Sequence, residues 1–487
     1  MRPILSIAAA SALCVSLTAQ IQLTKIGGYE SGVFDEGAAE ISAYDAGTQR
    51  LFVTNADANT LDVLSLADPT NPTLLFTVDL SPYGDGVNSV AVHDGVVAAA
   101  VEADPKTDPG SVVFLDVDGN FVRAITVGAL PDMLTFSPGG HYLLVANEGE
   151  PNDDYTVDPE GSISVIRMNG GPLNATLRTA DFGRFQNRRL DPSIRIFGPG
   201  ATVAQDLEPE YIACGPFGIF AWAVCQENNA LALIHLRTAR VIGLYGLGFK
   251  NHNLPGNGLD PSNRDSGIEI ANWPVYGMYQ PDAIAVTNFF GIPFVLAATE
   301  GDARDYDGFS EEARIGDLTL DPSFPADIQD DDKLGRLTTT TVGGDLDNDG
   351  DKDVLFAFGA RSLSIFTAFG DLVWDSGDTI EQVTATLLPN DFNSNNDEND
   401  SFDARSDDKG PEPEGVTVGQ IGFHTYAFVC LERVGGVMVW DVTLPWAPIY
   451  VDYVTSRDFS GDAEAGTAGD LGPEGIVFIP AYESPNG

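Results

Sequence analysis

A chain of 487 residues with 72 Asp and Glu against 25 Lys and Arg carries a formal charge of −47. That excess excludes nucleic acid and anionic membranes as direct partners, because the charges repel unless a metal ion intervenes, and it favours hard cations such as Ca²⁺. With 43% hydrophobic residues the chain can bury a core, and 52 Gly with 30 Pro favour many short strands over long helices.

Residues 1–19 read as a secretory signal peptide, with Arg2 at the charged end, an apolar stretch from Pro3 to Leu17, and Thr18 and Ala19 before the exit. No apolar run of about 18 residues follows, so no membrane span is predicted, and the expected location is extracytoplasmic: periplasm, cell surface or medium. Residues 20–487 read as one domain. Three cysteines remain after the leader, Cys214, Cys225 and Cys430, and the odd count points to buried free thiols.

The mature chain repeats one pattern. An acid following a proline opens an apolar segment, a turn follows, and a second apolar segment ends on another acid. The pairs are Asp132 and Glu148, Glu210 and Glu227, Asp282 and Glu300, Glu414 and Glu432. Each pair reads as a β-hairpin, and an antiparallel hairpin brings its two ends to one edge. Weaker copies start at Glu40, Asn88 and Asp353, and an eighth begins at Gly472 with one strand, Ile476 to Ile479. Four-stranded repeats of about 40 residues predict an all-β propeller of seven to eight blades, the last one incomplete, with a strand near Leu23 to Ile26 available to close the ring. Insertions at about 168–207, 241–280, 301–345 and 375–412 are too long for ordinary loops.

The sharpest motif is Asp345–Asp353 (DLDNDGDKD). Carboxylates at alternate positions, Asp345, Asp347, Asp349, Asp351 and Asp353, suit a Ca²⁺ loop with Gly350 at the turn; a solvated acidic turn is the alternative. A second signal is a pair of acidic loops after hairpins, Glu148–Tyr155 and Glu300–Gly308. They read either as a metal or ligand face or as carboxylates capping turns. Arg304, Arg314, Arg361, Arg405 and Arg433 stand beside acids, fit either to pair with them or to bind an anion. The five histidines have no zinc spacing, and no serine elbow or phosphate-cradling glycine loop occurs.

Several stretches resemble the choice-of-anchor I family: Leu130–Pro138 (LPDMLTFSP), Ala146–Tyr155 (ANEGEPNDDY), Asn272–Asp282 (NWPVYGMYQPD), Glu300–Arg314 (EGDARDYDGFSEEAR), Phe358–Ser362 (FGARS) and Arg405–Gly415 (RSDDKGPEPEG). The family is similar to the mesenchyme-specific cell surface glycoproteins of biomineralising animals, and some bacterial members carry the name alkaline phosphatase. The resemblance implies a YVTN/WD40-like propeller. Two functions follow as expectations. One is a calcium-binding protein that engages a surface, matrix or mineral partner. The other is a metal-dependent phosphomonoesterase acting on a phosphorylated small molecule, with Glu148, Asp153, Asp154, Glu300, Asp302 and Asp305 holding metal ions, Arg304 assisting, and no organic cofactor.

Overall fold

The computed structural model describes residues 21–34 and 37–487. The expected leader, residues 1–19, lies outside them.

Six four-stranded antiparallel sheets follow one another among the described residues. Blade 1 runs from Ser42–Asp45 to Thr73–Asp79, blade 2 from Gly86–His93 to Phe121–Ala129, and blade 3 from Pro131–Phe136 to Thr176–Asp181. Blade 4 runs from Ile212–Cys214 to Arg240–Gly246. Blade 5 comprises Ile284–Phe289, Ile292–Thr299, Ser362–Thr367 and Leu372–Asp375, and blade 6 runs from Pro413–Ile421 to Ile449–Val454. From blade 1 through blade 5, the first strand is innermost and packs against the first strand of the next blade. The protein is a β-propeller.

The apolar runs form strands because both faces of each sheet are covered. In blade 2, Val97, Ala99 and Val101 pack toward blade 1, while Ala98 and Ala100 pack toward blade 3. In blade 4, Leu231 and Leu233 face blade 5, and Ala230, Ala232 and Ile234 face blade 3. The two-residue period of a strand thus assigns alternate side chains to successive inter-blade layers, and a strand covered on both faces needs a continuous apolar run.

The seventh place in the ring is filled without a sheet. Glu474 and Gly475 pass between blade 6 and the start of blade 1. A Cβ at Gly475 would stand 2.3 Å from the Glu40 carbonyl oxygen, and one at Gly415 would stand 1.8 Å from that of Glu474. Phe478 stacks on Phe428 at 5.8 Å, and Ile21 and Leu23 pack beside it. Residues 476–479 and 23–26, expected as strands, join no ladder; side-chain packing holds them against blade 6.

The unit expected from Asp353 is divided in the fold. Phe356–Ala357 joins a separate five-stranded sheet with Phe249–Asn251, Tyr276–Met278, Glu312–Arg314 and Thr338–Thr340, whereas Ser362–Thr367 is the third strand of blade 5. This extra sheet has its own core, including Leu259, Val275, Ile315, Leu334 and Leu355. Two of the expected insertions also contain the outer strands of blades 3 and 4, and the 375–412 stretch contains a helix, Thr379–Leu387. The Asn- and Asp-rich segment after it has irregular backbone, yet Asn393, Ser394, Asp403 and Ser406 are buried; Asn393 Nδ2 bonds Ser406 Oγ at 2.9 Å and Glu381 Oε1 at 3.2 Å.

Candidate metal centre

Because each hairpin is antiparallel, the start of its inner strand and the end of its second strand lie at one end of the ring. Asn147 is opposite Pro131, and Leu431 is opposite Pro413. The repeated acids therefore form two tiers at one mouth of the central channel. Asp132, Glu210, Asp282 and Glu414 occupy the starts of inner strands, joined by Glu40 and Glu474; Glu102, Glu148, Glu227, Glu300 and Glu432 occupy the ends of second strands.

Packing carboxylates there is costly. Burial first, and Glu474 second, pushes Glu40 up to about 7. Burial, then Glu150 and Glu40, does the same to Asp132. Burial with Asp282 drives Glu414 well above the usual carboxylate range, and burial with Glu300 drives Asp282 up in turn.

Within this mouth two groups of three have oxygens that all lie within 4.8 Å of one another: Glu148, Glu208 and Glu227, and then Glu300, Glu412 and Glu432. They are built alike. Each takes the second-strand acid of one blade, the glutamate preceding the proline that opens a later blade, and the second-strand acid of that later blade.

Their surroundings differ. In the second group Lys409 Nζ lies 2.6 Å from Glu300 Oε1 and 3.3 Å from Glu412 Oε2. Arg405 and Arg433 also pair with Glu412, at 2.6 and 3.0 Å. Burial alone would raise Glu412, but Lys409, Arg405 and Arg433 outweigh it and hold the carboxyl down at about 2. In the first group one side chain supplies positive charge by direct contact: Arg304, which donates to Glu208 Oε2 from Nη2 at 2.9 Å and Nε at 3.2 Å. Glu208 Oε1 is buried without any hydrogen-bond partner, and the buried Oε2 atoms of Glu227 and the neighbouring Glu210 have only each other's carboxyl as a partner. Burial, and then Glu150, Asp132, Glu227 and Glu208, pushes Glu148 well up. Burial also raises Glu208, against the pull of Arg304.

Of the residues expected to form one catalytic cluster, Glu148 and Glu300 fall into different groups. Asp302 is half-exposed, 3.9 Å from Lys409 Nζ. Asp153 and Asp154 line a separate cleft of about 400 Å³ with Lys106, Asn152 and Asp307, and Asp305 pairs with Ser310 in a small hairpin. Arg304 is wholly buried, paired with Asp206 and Glu208 and lying over the Phe197 ring at 4.6 Å. A larger cleft of about 630 Å³, lined by His93, Phe136, His141 and Arg167, opens at the opposite end of the ring, away from the acids.

The other four arginines singled out all engage acids: Arg314 with Asp407, Arg361 with Glu381, and Arg405 and Arg433 with Glu412. Glu300, one of the acids weighed as a turn cap, accepts from Gln226 Nε2 at 3.1 Å and from Lys409.

The Asp345–Asp353 loop contains two further groups, Asp345, Asp347 and Asp353, and Asp321, Asp351 and Asp353, with Asp353 shared. Asp345 accepts the amides of Asn348, Asp349 and Gly350 at 2.7, 3.2 and 3.1 Å, which shapes the turn. Asp349 lies outside both groups and accepts the Asp351 amide at 3.3 Å. Partial burial and then Asp349 push Asp351 up to about 6. An all-oxygen donor set on a glycine-turned loop suits a hard cation. Asp321 reaches the loop because Leu320 bridges Lys352.

Sequence reasoning passed over Glu208, Glu412, Lys409 and Asp321. The first two had a signal, since Glu-Pro-Glu occurs at 208–210 and again at 412–414. Lys409 sits in the Arg405–Gly415 stretch noted above without a role.

The chain is 32% identical to Gigasin-3a of Magallana gigas over 171 residues, 33% of this chain and 60% of that protein. It is 28% identical to the mesenchyme-specific cell surface glycoprotein of Strongylocentrotus purpuratus over 286 residues, 50% of this chain and 35% of that protein. It thus spans less than two thirds of the length of both curated relatives. Among solved structures, Kuenenia stuttgartiensis hydrazine synthase aligns at TM-score 0.42 and 12% identity, covering 85% of this chain and 80% of that one. The Cps50 (Swd1) β-propeller domain of Myceliophteria thermophila aligns at TM-score 0.40 and 10% identity, covering 86% of each chain. No helix of the described residues is long and apolar enough to cross a membrane. The model of the choice-of-anchor I domain matches residues 40–445, and the chain belongs to that family.

Proposed function

We propose that the protein is an extracytoplasmic binding propeller that uses calcium ions at its acidic surfaces to engage a surface, matrix or mineral partner. One observation carries the reading: carboxylates from successive blades gather at one mouth of the ring, at a cost that bound cations would offset. The kinship with a protein named as a cell surface glycoprotein agrees with it. The Asp345–Asp353 loop, with Asp321, offers two half-buried carboxylate groups that suit calcium on the same chain. Hydrolysis has less support. The acids it would need are distributed over separate places, and the Arg304 guanidinium is buried in ion pairs.

The test is sedimentation of the purified protein with hydroxyapatite and calcite particles, in calcium and in chelator, alongside turnover of p-nitrophenyl phosphate. Calcium-dependent retention that falls in Asp353→Asn, with turnover at background, is the expected result. Calcium-dependent turnover that disappears in Glu300→Gln would show an enzyme instead and overturn the reading.

A further inference from the structure

The two carboxylate groups at the mouth are the same construction solved in two ways, and the comparison says what the first group takes. In the second, positive charge is supplied from within: the Lys409 ammonium pairs with Glu300 and with Glu412 Oε2, Arg405 pairs with Glu412 Oε1, and Arg433 pairs with Glu412 Oε2 and with Glu432. In the first, Glu148, Glu208 and Glu227 are likewise buried, and their oxygens too lie within 4.8 Å of one another. There Arg304 engages only Oε2 of Glu208. Oε1 of Glu208 is left without a donor in a place that solvent does not reach, and the Glu227 carboxyl has only the neighbouring Glu210 carboxyl beside its buried Oε2.

We propose that Glu148, Glu208 and Glu227 bind one divalent cation of the calcium class, in the position that the Lys409 ammonium fills in the neighbouring group. This deepens the reading of a calcium-dependent binding protein and rests on it for its biological meaning, but the site itself stands on its own geometry.

Three features select the ion. The donors are all carboxylate oxygens, which suits a hard cation and not zinc or copper. One oxygen of each lies within 4.8 Å of the others, close enough for a single ion to reach all three. The ligands are also held before the ion arrives. The Glu208 amide donates to Asn228 Oδ1 at 3.2 Å, and Asn228 Nδ2 is fixed on the Arg195 carbonyl at 2.9 Å and on the Asp206 carbonyl. Arg304 is a positioning residue here: by occupying Oε2 it leaves Oε1 of Glu208 as the available ligand.

The experiment is isothermal titration with Ca²⁺ of the full chain carrying Asp353→Asn, which removes the ligand shared by the two loop positions and leaves the mouth as the high-affinity site. That chain is expected to bind one equivalent. Adding Glu227→Gln, or Glu148→Gln in a parallel chain, lowers its affinity roughly tenfold or more, since one charged ligand is lost. Neither substitution removes an ion pair, so in chelator both chains melt no lower than their parent, which separates loss of the site from loss of the fold. Replacing Lys409 by Gln in the Asp353→Asn chain frees the second group and raises the count to two equivalents. A parent that binds no Ca²⁺, or an affinity unchanged by both glutamine substitutions, overturns the site. A count unchanged by Lys409→Gln overturns the equivalence between the ammonium and the ion. A mouth ion bound by a protein whose parent chain shows no calcium-dependent particle retention would overturn the broader reading and leave this site, whereas retention without the mouth ion would overturn this site alone.

Discussion

Arg304 offers the sharpest test of how the mouth is assembled. Its guanidinium is fully buried, engages Asp206 and Glu208 as ion pairs, and accepts no alternative charge state, since arginine stays protonated in proteins. Arg304→Met keeps an apolar stem but takes the guanidinium off the Phe197 ring and strands two buried carboxylates. Removing one partner of a buried pair costs about 3–5 kcal/mol. With an unfolding entropy of about 2.1 cal/mol/K per residue, roughly 450 folded residues give about 1 kcal/mol/K, so the expected fall in Tm is about 3–5 °C. The assay is scanning calorimetry in chelator at pH 8 and pH 5. The loss should be smaller at pH 5, where Glu208, its carboxyl already raised by burial and no longer restrained by Arg304, takes up a proton. Asp206→Asn added to Arg304→Met should recover part of the loss by removing one stranded charge. A variant melting within about 1 °C of the parent at pH 8 would refute the view that this pair network holds the mouth together.

Three further outcomes are expected. Burial, and then Glu381, pushes Asp260 up to about 8, and burial lifts Asp403 to about 7, both above unfolded values near 3.9. The folded chain therefore holds more protons, so their contribution is complete below about pH 4 and is lost as pH rises through 7–8; Tm in chelator should fall between pH 5 and pH 9, less so in Asp260→Asn, and a rise over that range would contradict it. Gly359→Ala should lower Tm by several degrees, because φ there is +71° and the new Cβ would meet the Glu300 carbonyl at 1.8 Å; a neutral effect would place that backbone elsewhere. Cys225 and Cys430 are buried, and burial pushes both thiols up, Cys430 to about 12, so neither should react with Ellman's reagent until guanidinium unfolds the chain.

The hairpins and their terminal acids were legible because strand alternation and a proline-acid opening repeat at nearly fixed spacing, and the antiparallel rule then gives a shared mouth. What the residues did not disclose was partnership. Glu148 meets Glu208 and Glu227, and Glu300 meets Glu412 and Glu432, because the chain returns to the ring after long excursions whose paths no local pattern encodes. Lys409 reads in sequence as one basic residue in an acidic run, and only the fold makes it a counter-ion for Glu300. Asp321 joins the Asp345 loop through a bridge to Lys352, a contact made by tertiary structure alone. The unit read from Asp353 failed for a related reason. Its two apolar pieces have strand composition, but the first completes the extra sheet and the second pairs with Ile292–Thr299. At the seventh place, residues 476–479 have the apolar residues of a strand and no neighbour in position to form a ladder.

That interruption of blade 5 has a kinetic consequence. Thr299 and Ser362 are paired across a sequence separation of 63, whereas the equivalent residues of blade 3, Asn147 and Ser162, are 15 apart. Closing the longer loop costs about 1.3 kcal/mol more in chain entropy if it is unstructured. Folding of the intervening segment shortens that search, and its sheet also draws in Phe249–Asn251 and Tyr276–Met278 from the connection between blades 4 and 5. The extra sheet and blade 5 should therefore order as one cooperative unit, after the blades whose strands are joined by short turns. Ring closure then waits on this unit, and a cut within it would release half of a blade rather than one surface loop.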